Sequence, residues 1–223
     1  MSGGRFISLE GVDGSGKSTQ AAMLADALEA RGLRVVRTRE PGGTELGEAL
    51  RTVLLAAAPG SIEPVAEMYL FAAARAQLVR EVIAPALATG AWVVADRFLD
   101  SSLAYQGGGR ELGIDVVLRA NRRGVIHHMP ARTLLIDTPH DEALARCGPT
   151  PDRIEGESPA FRLRVEQGYR DLLERFPVRL RAIDGRGTPV EVHGRVMGEV
   201  VPLLEVSGGS RSPTRRWPAT RCW

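Results

Sequence analysis

The chain has 223 residues, 43% hydrophobic and 25% charged, with a formal net charge of +2. That length can bury one sizeable core as a single compact domain, and the near-balance of charge, despite a pI of about 8.8, excludes the basic stripe with which nucleic-acid binders displace counterions. The start MSGGRFISL lacks a signal peptide's pattern, no apolar run reaches membrane-spanning length, and Cys147 and Cys222 show no metal-site spacing, so we expect a cytoplasmic protein with reduced thiols, small anionic ligands, and no membrane or nucleic-acid partner.

In chain order, an apolar strand over Phe6 to Leu9 runs into Gly11-x-x-x-x-Gly16-Lys17-Ser18. This is the spacing of a loop that cradles phosphates: Gly11, Gly14 and Gly16 let the backbone curl and turn successive N–H groups inward. Lys17 adds a point charge for β- and γ-phosphates, and Ser18 a hydroxyl for Mg²⁺. Met23, Leu24, Ala27 and Leu28 then mark a helix ending at Gly32. Further apolar runs at Leu33 to Val36, Trp92 to Ala95, Thr133 to Ile136 and Val178 to Ile183 alternate with helical segments. The expectation is an α/β protein, a three-layer α/β/α sandwich around a five-stranded parallel sheet. Phe161, Val165, Tyr169, Leu172, Leu173 and Phe176 recur at helical spacing and read as core, as do Val192, Val196, Val200 and Leu203 on a final helix. Residues 1–206 form the expected domain. Residues 207–223, rich in Ser, Gly, Pro and Arg, read as a disordered basic tail.

Ligands gather at the carboxyl ends of strands in such sheets, so the loops there carry the argument. Arg39-Glu40-Pro41-Gly42-Gly43-Thr44 holds a charged pair at the lip of a tight turn, or is an ordinary turn with a surface ion pair. In Asp96-Arg97-Phe98, the carboxylate suits Mg²⁺ and the guanidinium a phosphate, unless the two satisfy each other. Ser101 to Gly107 offers hydroxyl, phenol and carboxamide groups. Phe71 and Arg75, one helical turn apart, share a face that fits a planar base, or are core Phe and solvated Arg. Asp152-Arg153-Ile154-Glu155, after Gly-Pro-Thr-Pro, reads as part of a lid spanning about 145–157. His127 and His128 lack partners at a recognisable spacing.

Together, EGVDGSGKSTQ, REPGGT, DRF with SSLAYQG, and DRIE resemble the thymidylate kinase family of P-loop nucleoside monophosphate kinases over most of residues 5 to 205. The resemblance implies ATP and dTMP as substrates, Mg²⁺ as cofactor and a homodimer formed through helices. It implies ATP binding by Gly11, Val12, Asp13, Gly14, Ser15, Gly16, Lys17, Ser18 and Thr19, with metal at Ser18, Asp13 and Asp96. On the acceptor side it implies Arg39, Glu40, Pro41, Phe71, Arg75, Arg97, Ser102, Tyr105 and Gln106, with Arg39 and Arg97 on the phosphate, Phe71 stacked on thymine, Arg75 and Ser102 on its polar edge, and Tyr105 crowding the 2′ position. Lys17, Asp13 and Arg97 would be catalytic. The phosphate loop carries no arginine, so the transition-state cation is expected from the lid, where only Arg146 and Arg153 qualify. The lid looks shortened and Phe98 stands where tyrosine is common. Alternatives are a kinase for another nucleotide such as dUMP, a catalytically weak nucleotide-binding paralogue, and a nucleotide-binding switch, which would lack an Asn-Lys-x-Asp motif here.

Overall fold

The computed structural model describes residues 4–56, 58, 60–148 and 152–205. Cys222, the tail 207–223 and the lid residues 149–151 lie outside the described residues. Five strands, β1 (Phe6–Glu10), β2 (Val35–Arg39), β3 (Trp92–Asp96), β4 (Arg132–Asp137) and β5 (Leu180–Asp184), form one parallel sheet in the order β2-β3-β1-β4-β5. β1 is central and all five of its residues are buried, so strand alternation sorts its side chains between two cores rather than between core and solvent. Ile7 and Leu9 pack with Leu24 and Leu28 of α1 (Lys17–Glu29), and with Val192, Val196 and Val200 of α9 (Pro189–Glu205). Phe6 faces the other layer, with Met68 and Leu78 of α3 (Pro64–Leu78), Val117 of α6 (Ile114–Val125), and Phe161, Val165 and Leu172 of α8 (Pro159–Arg175). The three-layer expectation holds. On α1 the buried face is Gln20, Ala21, Leu24, Ala25 and Leu28, so Met23 and Ala27 lie at its margin rather than its centre.

Shorter elements position the site. α2 (Glu45–Ala56) follows the Pro41-Gly42-Gly43 turn, and α3 continues through a π-helical turn, Val79–Ile83, into α4 (Ala84–Ala88). After β3, α5 (Leu99–Ser102) runs into a second π-helical segment, Leu103–Gly109, that packs against α8. Gly168 makes that packing possible, because a Cβ there would lie 3.1 Å from the Ala104 Cα. α7 (His140–Ala145) follows β4 and leads to the segment expected to form a lid. Ser158 caps α8, its hydroxyl accepting from the Phe161 N–H at 3.2 Å, with Pro159 in the first turn.

Candidate active site

The loop from β1 to α1 is shaped by left-handed glycines. Gly16, at φ 92°, is the N-cap of α1 and offers no side-chain cap, so the first-turn N–H groups of α1 remain available to an anion. Gly14, at φ 76°, abuts α7: a Cβ there would collide with the Ala143 carbonyl oxygen. The Lys17 ammonium folds over the loop, donating to the Val12 carbonyl at 3.3 Å and pairing with Asp13 Oδ1 at 3.2 Å.

Arg97 approaches the same loop from β3. Its φ of +71° is a backbone state that costs a non-glycine residue on the order of 1–3 kcal/mol unless its surroundings fix it. Its N–H donates to the Leu9 carbonyl at 2.9 Å, and the Phe98 N–H donates to Glu10 Oε1 at 2.7 Å. The guanidinium reaches Asp13 Oδ1 at 2.5 Å, the Gly11 carbonyl at 3.0 Å and Ser101 Oγ at 3.0 Å, and lies 5.1 Å from the Tyr105 ring centre. Arg97 therefore pairs with Asp13 and not with its neighbour Asp96, whose Oδ1 is buried without a hydrogen-bond partner.

Charge follows from this crowding. Burial opposes ionisation of Asp13, but Arg97 and Lys17 outweigh it and hold the carboxyl well below its usual range. Burial, then the nearby Arg97 charge, pushes the Lys17 ammonium down against the pull of Asp13. Glu10, fully buried, is pushed up to about 8 by desolvation and by Asp100, against hydrogen bonds from Ser101 and Phe98 and the charge of Arg97. Burial also raises the Tyr105 and Tyr169 phenols.

The far wall is a buried polar cluster. Arg75 donates through Nε to Glu40 Oε2 at 2.8 Å, through Nη1 to Asn121 Oδ1 at 2.7 Å and through Nη2 to Ser102 Oγ at 2.9 Å. The Arg75 and Glu40 side chains are 1% and 4% exposed, and burial pushes the Glu40 carboxyl up to about 7 although Arg75 opposes the shift. The charged pair expected within Arg39-Glu40 is therefore split: Glu40 turns inward to Arg75, while Arg39 pairs with Glu48 at 3.0 Å on the surface.

One cavity of about 470 Å³ joins these walls. It is lined by Asp13, Gly14, Lys17 and Ser18 of the loop, by Arg39, Glu40 and Pro41, by Phe71 and Arg75, and by Asp96, Arg97, Ser102, Tyr105 and Gln106. Val12 lines a smaller neighbouring cavity of about 230 Å³ under α7 and α8, and Thr19 is exposed on α1.

The two arginines expected on the lid lie away from the cavity in this structure. Arg153 does not face the cavity: its side chain is fully buried, pairing with Glu67 Oε2 at 2.7 Å and donating to the Leu54 carbonyl at 2.7 Å. Glu67 also accepts from Gln106 at 2.8 Å and Arg110 at 3.0 Å, and these donors outweigh its burial and hold its carboxyl below the usual range. Arg146 lies on the outside of α7, paired with Glu142 one turn earlier at 3.2 Å, and lines neither cavity. A buried carboxylate on α3 captures the first cation, and a surface i,i+4 pair the second.

Tyr169 is core, as expected, and carries a polar contact besides. Its ring packs as core, yet its hydroxyl lies 3.1 Å from Ser101 Oγ and 3.3 Å from Glu10 Oε2. Sequence reasoning passed over Glu10, Asn121, Glu67 and Arg51, and took Ser101 only as part of the Ser101 to Gly107 run. Of these, Ser101 and Arg51 line the main cavity, and the signal for Glu10 was a carboxylate at the end of an otherwise apolar strand. His127 is exposed and His128 half-buried, neither lining a cavity.

Comparison with known proteins agrees with this geometry. The family model described as thymidylate kinase matches residues 9–196. The thymidylate kinase of Syntrophotalea carbinolica is 45% identical over 212 residues, covering 92% of this chain and 98% of its relative. That of Rhizorhabdus wittichii is 47% identical over 205 residues, covering 90% and 99%. A crystal structure of thymidylate kinase from Ehrlichia chaffeensis superposes with a TM-score of 0.72 at 33% identity, over 91% of this chain and 99% of that one. With the family model matching residues 9–196 and relatives 45–47% identical over nine-tenths of the chain, the chain belongs to the thymidylate kinase family.

Proposed function

We propose that the chain transfers the γ-phosphoryl group of ATP to dTMP, giving dTDP and ADP, as a step in dTTP biosynthesis. The observation that carries this reading is a single cavity running from Lys17 and Ser18, past Arg39 and Arg97, to Phe71 and Arg75. A donor phosphate chain, an acceptor phosphate and a planar base fit it in that order. The loop N–H groups and the α1 N-terminus hold the donor phosphates. Lys17 and Arg97 both lean on Asp13, and each exchanges that carboxylate for phosphate oxygens as substrates enter. The acceptor is a phosphate that is already nucleophilic near neutral pH, so alignment and charge neutralisation do the work and no general base is required. Phe71 stacks on the base, while Arg75 and Ser102, locked by their mutual hydrogen bond, present a fixed polar edge. Tyr105 narrows the sugar site.

Ser18, Asp13 and Asp96 would hold Mg²⁺. All three line the cavity and offer hard oxygen donors, and Asp96 Oδ1 is buried without a partner. Among the described residues no cluster of three or more His, Cys, Asp or Glu forms a complete cage, which suits an ion that keeps water and phosphate among its ligands. When bound, the ion neutralises charge on the β- and γ-oxygens. With Arg153 held by Glu67, the protein's own cations at the transferring group are Lys17 and Arg97.

Exposed Leu46 and Val53 on α2, Val65 and Tyr69 on α3 and Val116 on α6, with α3 packed against both of the others, support a homodimer. Among the described residues no helix is long and apolar enough to cross a membrane, and a cytoplasmic location is part of this reading. The test is ADP release from ATP·Mg²⁺ with dTMP, dUMP, dCMP or AMP as acceptor, followed by product identification. A clear dTMP preference with dTDP as product is the expected result. Transfer to another acceptor in preference, or to none, would overturn it.

A further inference from the structure

We infer that Glu10 is a positioning residue for the acceptor phosphate, setting the direction of Arg97 from both ends: through the Phe98 amide at its backbone and through Ser101 at its guanidinium. The inference rests on the proposed reading that Arg97 holds that phosphate.

Glu10 ends β1 directly before the phosphate loop and is fully buried. Its Oε1 accepts the Phe98 N–H at 2.7 Å, fixing the peptide that leaves Arg97. The Arg97 N–H is fixed at the same time by the Leu9 carbonyl, one residue before Glu10. The left-handed backbone of Arg97 is thus held on both sides by consecutive residues of one buried strand. Glu10 Oε2 accepts from the Ser101 hydroxyl and, at 3.3 Å, from the Tyr169 hydroxyl. Ser101 Oγ in turn accepts from Arg97 Nη1 at 3.0 Å, and the Gly11 carbonyl, next in sequence to Glu10, accepts from the same nitrogen. One carboxyl group therefore reaches the arginine's backbone exit directly and its charged tip through a single hydroxyl. Phe98 adds bulk to the latch, its ring fully buried and packed edge-on against Phe6 at 4.9 Å.

The measurement compares the wild-type chain with Glu10→Gln, Glu10→Ala and Ser101→Ala, reading KM for dTMP, KM for ATP, kcat, dTMP Kd by calorimetry and the thermal midpoint. Glu10→Ala should raise KM and Kd for dTMP about tenfold or more, with KM for ATP within about twofold, because misdirecting one phosphate ligand harms the acceptor alone. Glu10→Gln, which keeps an oxygen for the Phe98 amide, should recover most of that loss. Ser101→Ala lies on the cavity wall, leaves β1 intact and should give a smaller rise of the same kind. A fall in thermal midpoint with dTMP affinity unchanged, or dTMP and ATP constants rising together, would reduce Glu10 to a fold residue and overturn the inference. Wild-type chain that binds dTMP without phosphorylating it would contradict the proposed function alone. The Kd series would then decide the role of Glu10, equal values across the variants refuting it.

Discussion

On the wall proposed for the acceptor, Arg75 uses its donors inside the protein, on Glu40, Asn121 and Ser102, with its side chain only 1% exposed, whereas on the loop wall Lys17 and Arg97 share one carboxylate, Asp13, that is 29% exposed. The first arrangement is buried and held mostly by internal partners, with Glu40 Oε1 left unpaired, and suits a rigid wall against a ligand whose shape never varies. The second is a loosely shared partner, and suits charges that must be handed to phosphates in transit. Fully buried pairs of the first kind are costly to break, while pairs with one partly exposed member are easier to exchange.

Breaking the loop side at its centre should have the largest effect. Lys17→Ala is expected to lower turnover about 10⁴-fold, roughly 5.5 kcal/mol of transition-state stabilisation, with dTMP affinity little changed. Unaltered turnover in folded protein would refute the phosphate-loop assignment. On the acceptor wall, Arg75→Ala leaves Glu40 buried and unpaired, so denaturant unfolding should show a loss of about 4 kcal/mol alongside weakened dTMP binding. A variant of wild-type stability would show that the wall is not the rigid element described.

The lid gives a sharper contrast. Arg153→Ala should destabilise by about 3 kcal/mol, because Glu67 loses one buried cation and keeps only Arg110. If turnover collapsed while stability held, Arg153 would have to leave Glu67 and serve as the lid cation after all. Next in size is a pH effect from Glu40. Its folded pKa, about 7, lies above the ordinary 4.5, so its contribution is fully present below pH 4.5 and is lost as pH rises through 7. The loss is on the order of 3 kcal/mol at most. Glu10 adds a change of the same sign up to about pH 8, while Asp13 acts only below its ordinary range. Unfolding midpoints should therefore fall between pH 5 and pH 8, and Glu40→Gln should flatten the slope; an unchanged slope would mean that Glu40 titrates normally. Smallest of all, Arg146→Ala removes a pair exposed by more than two-fifths on both sides, and should shift stability by under about 0.5 kcal/mol and leave turnover unchanged.

Much of this was legible in the sequence because local chemistry announces itself. Five apolar runs gave five strands with ends no more than three residues off, and glycines spaced around Lys17 gave the loop. Phe71, Arg75 and Ser102, proposed for the acceptor, came from motifs whose residues line one cavity. Side-chain partnership across the fold was not legible. Nothing near Arg153 in sequence reveals that Glu67, 86 positions earlier, lies waiting for it. Tyr169 sits in a perfect apolar period, which hides a hydroxyl aimed at Ser101 and Glu10. Strand order was equally silent, since apolar runs say which segments pair but not with whom.

The contact between Gly14 and the Ala143 carbonyl has a consequence for recognising such proteins by motif. The phosphate loop is complete only when a helix more than a hundred residues later closes its outer wall. A chain could keep every residue from 11 to 18 and still lose its grip on phosphate through an insertion or bend in 138–143. Integrity of the motif and integrity of the pocket are separate properties, and a sequence search confined to the first twenty residues measures only one of them.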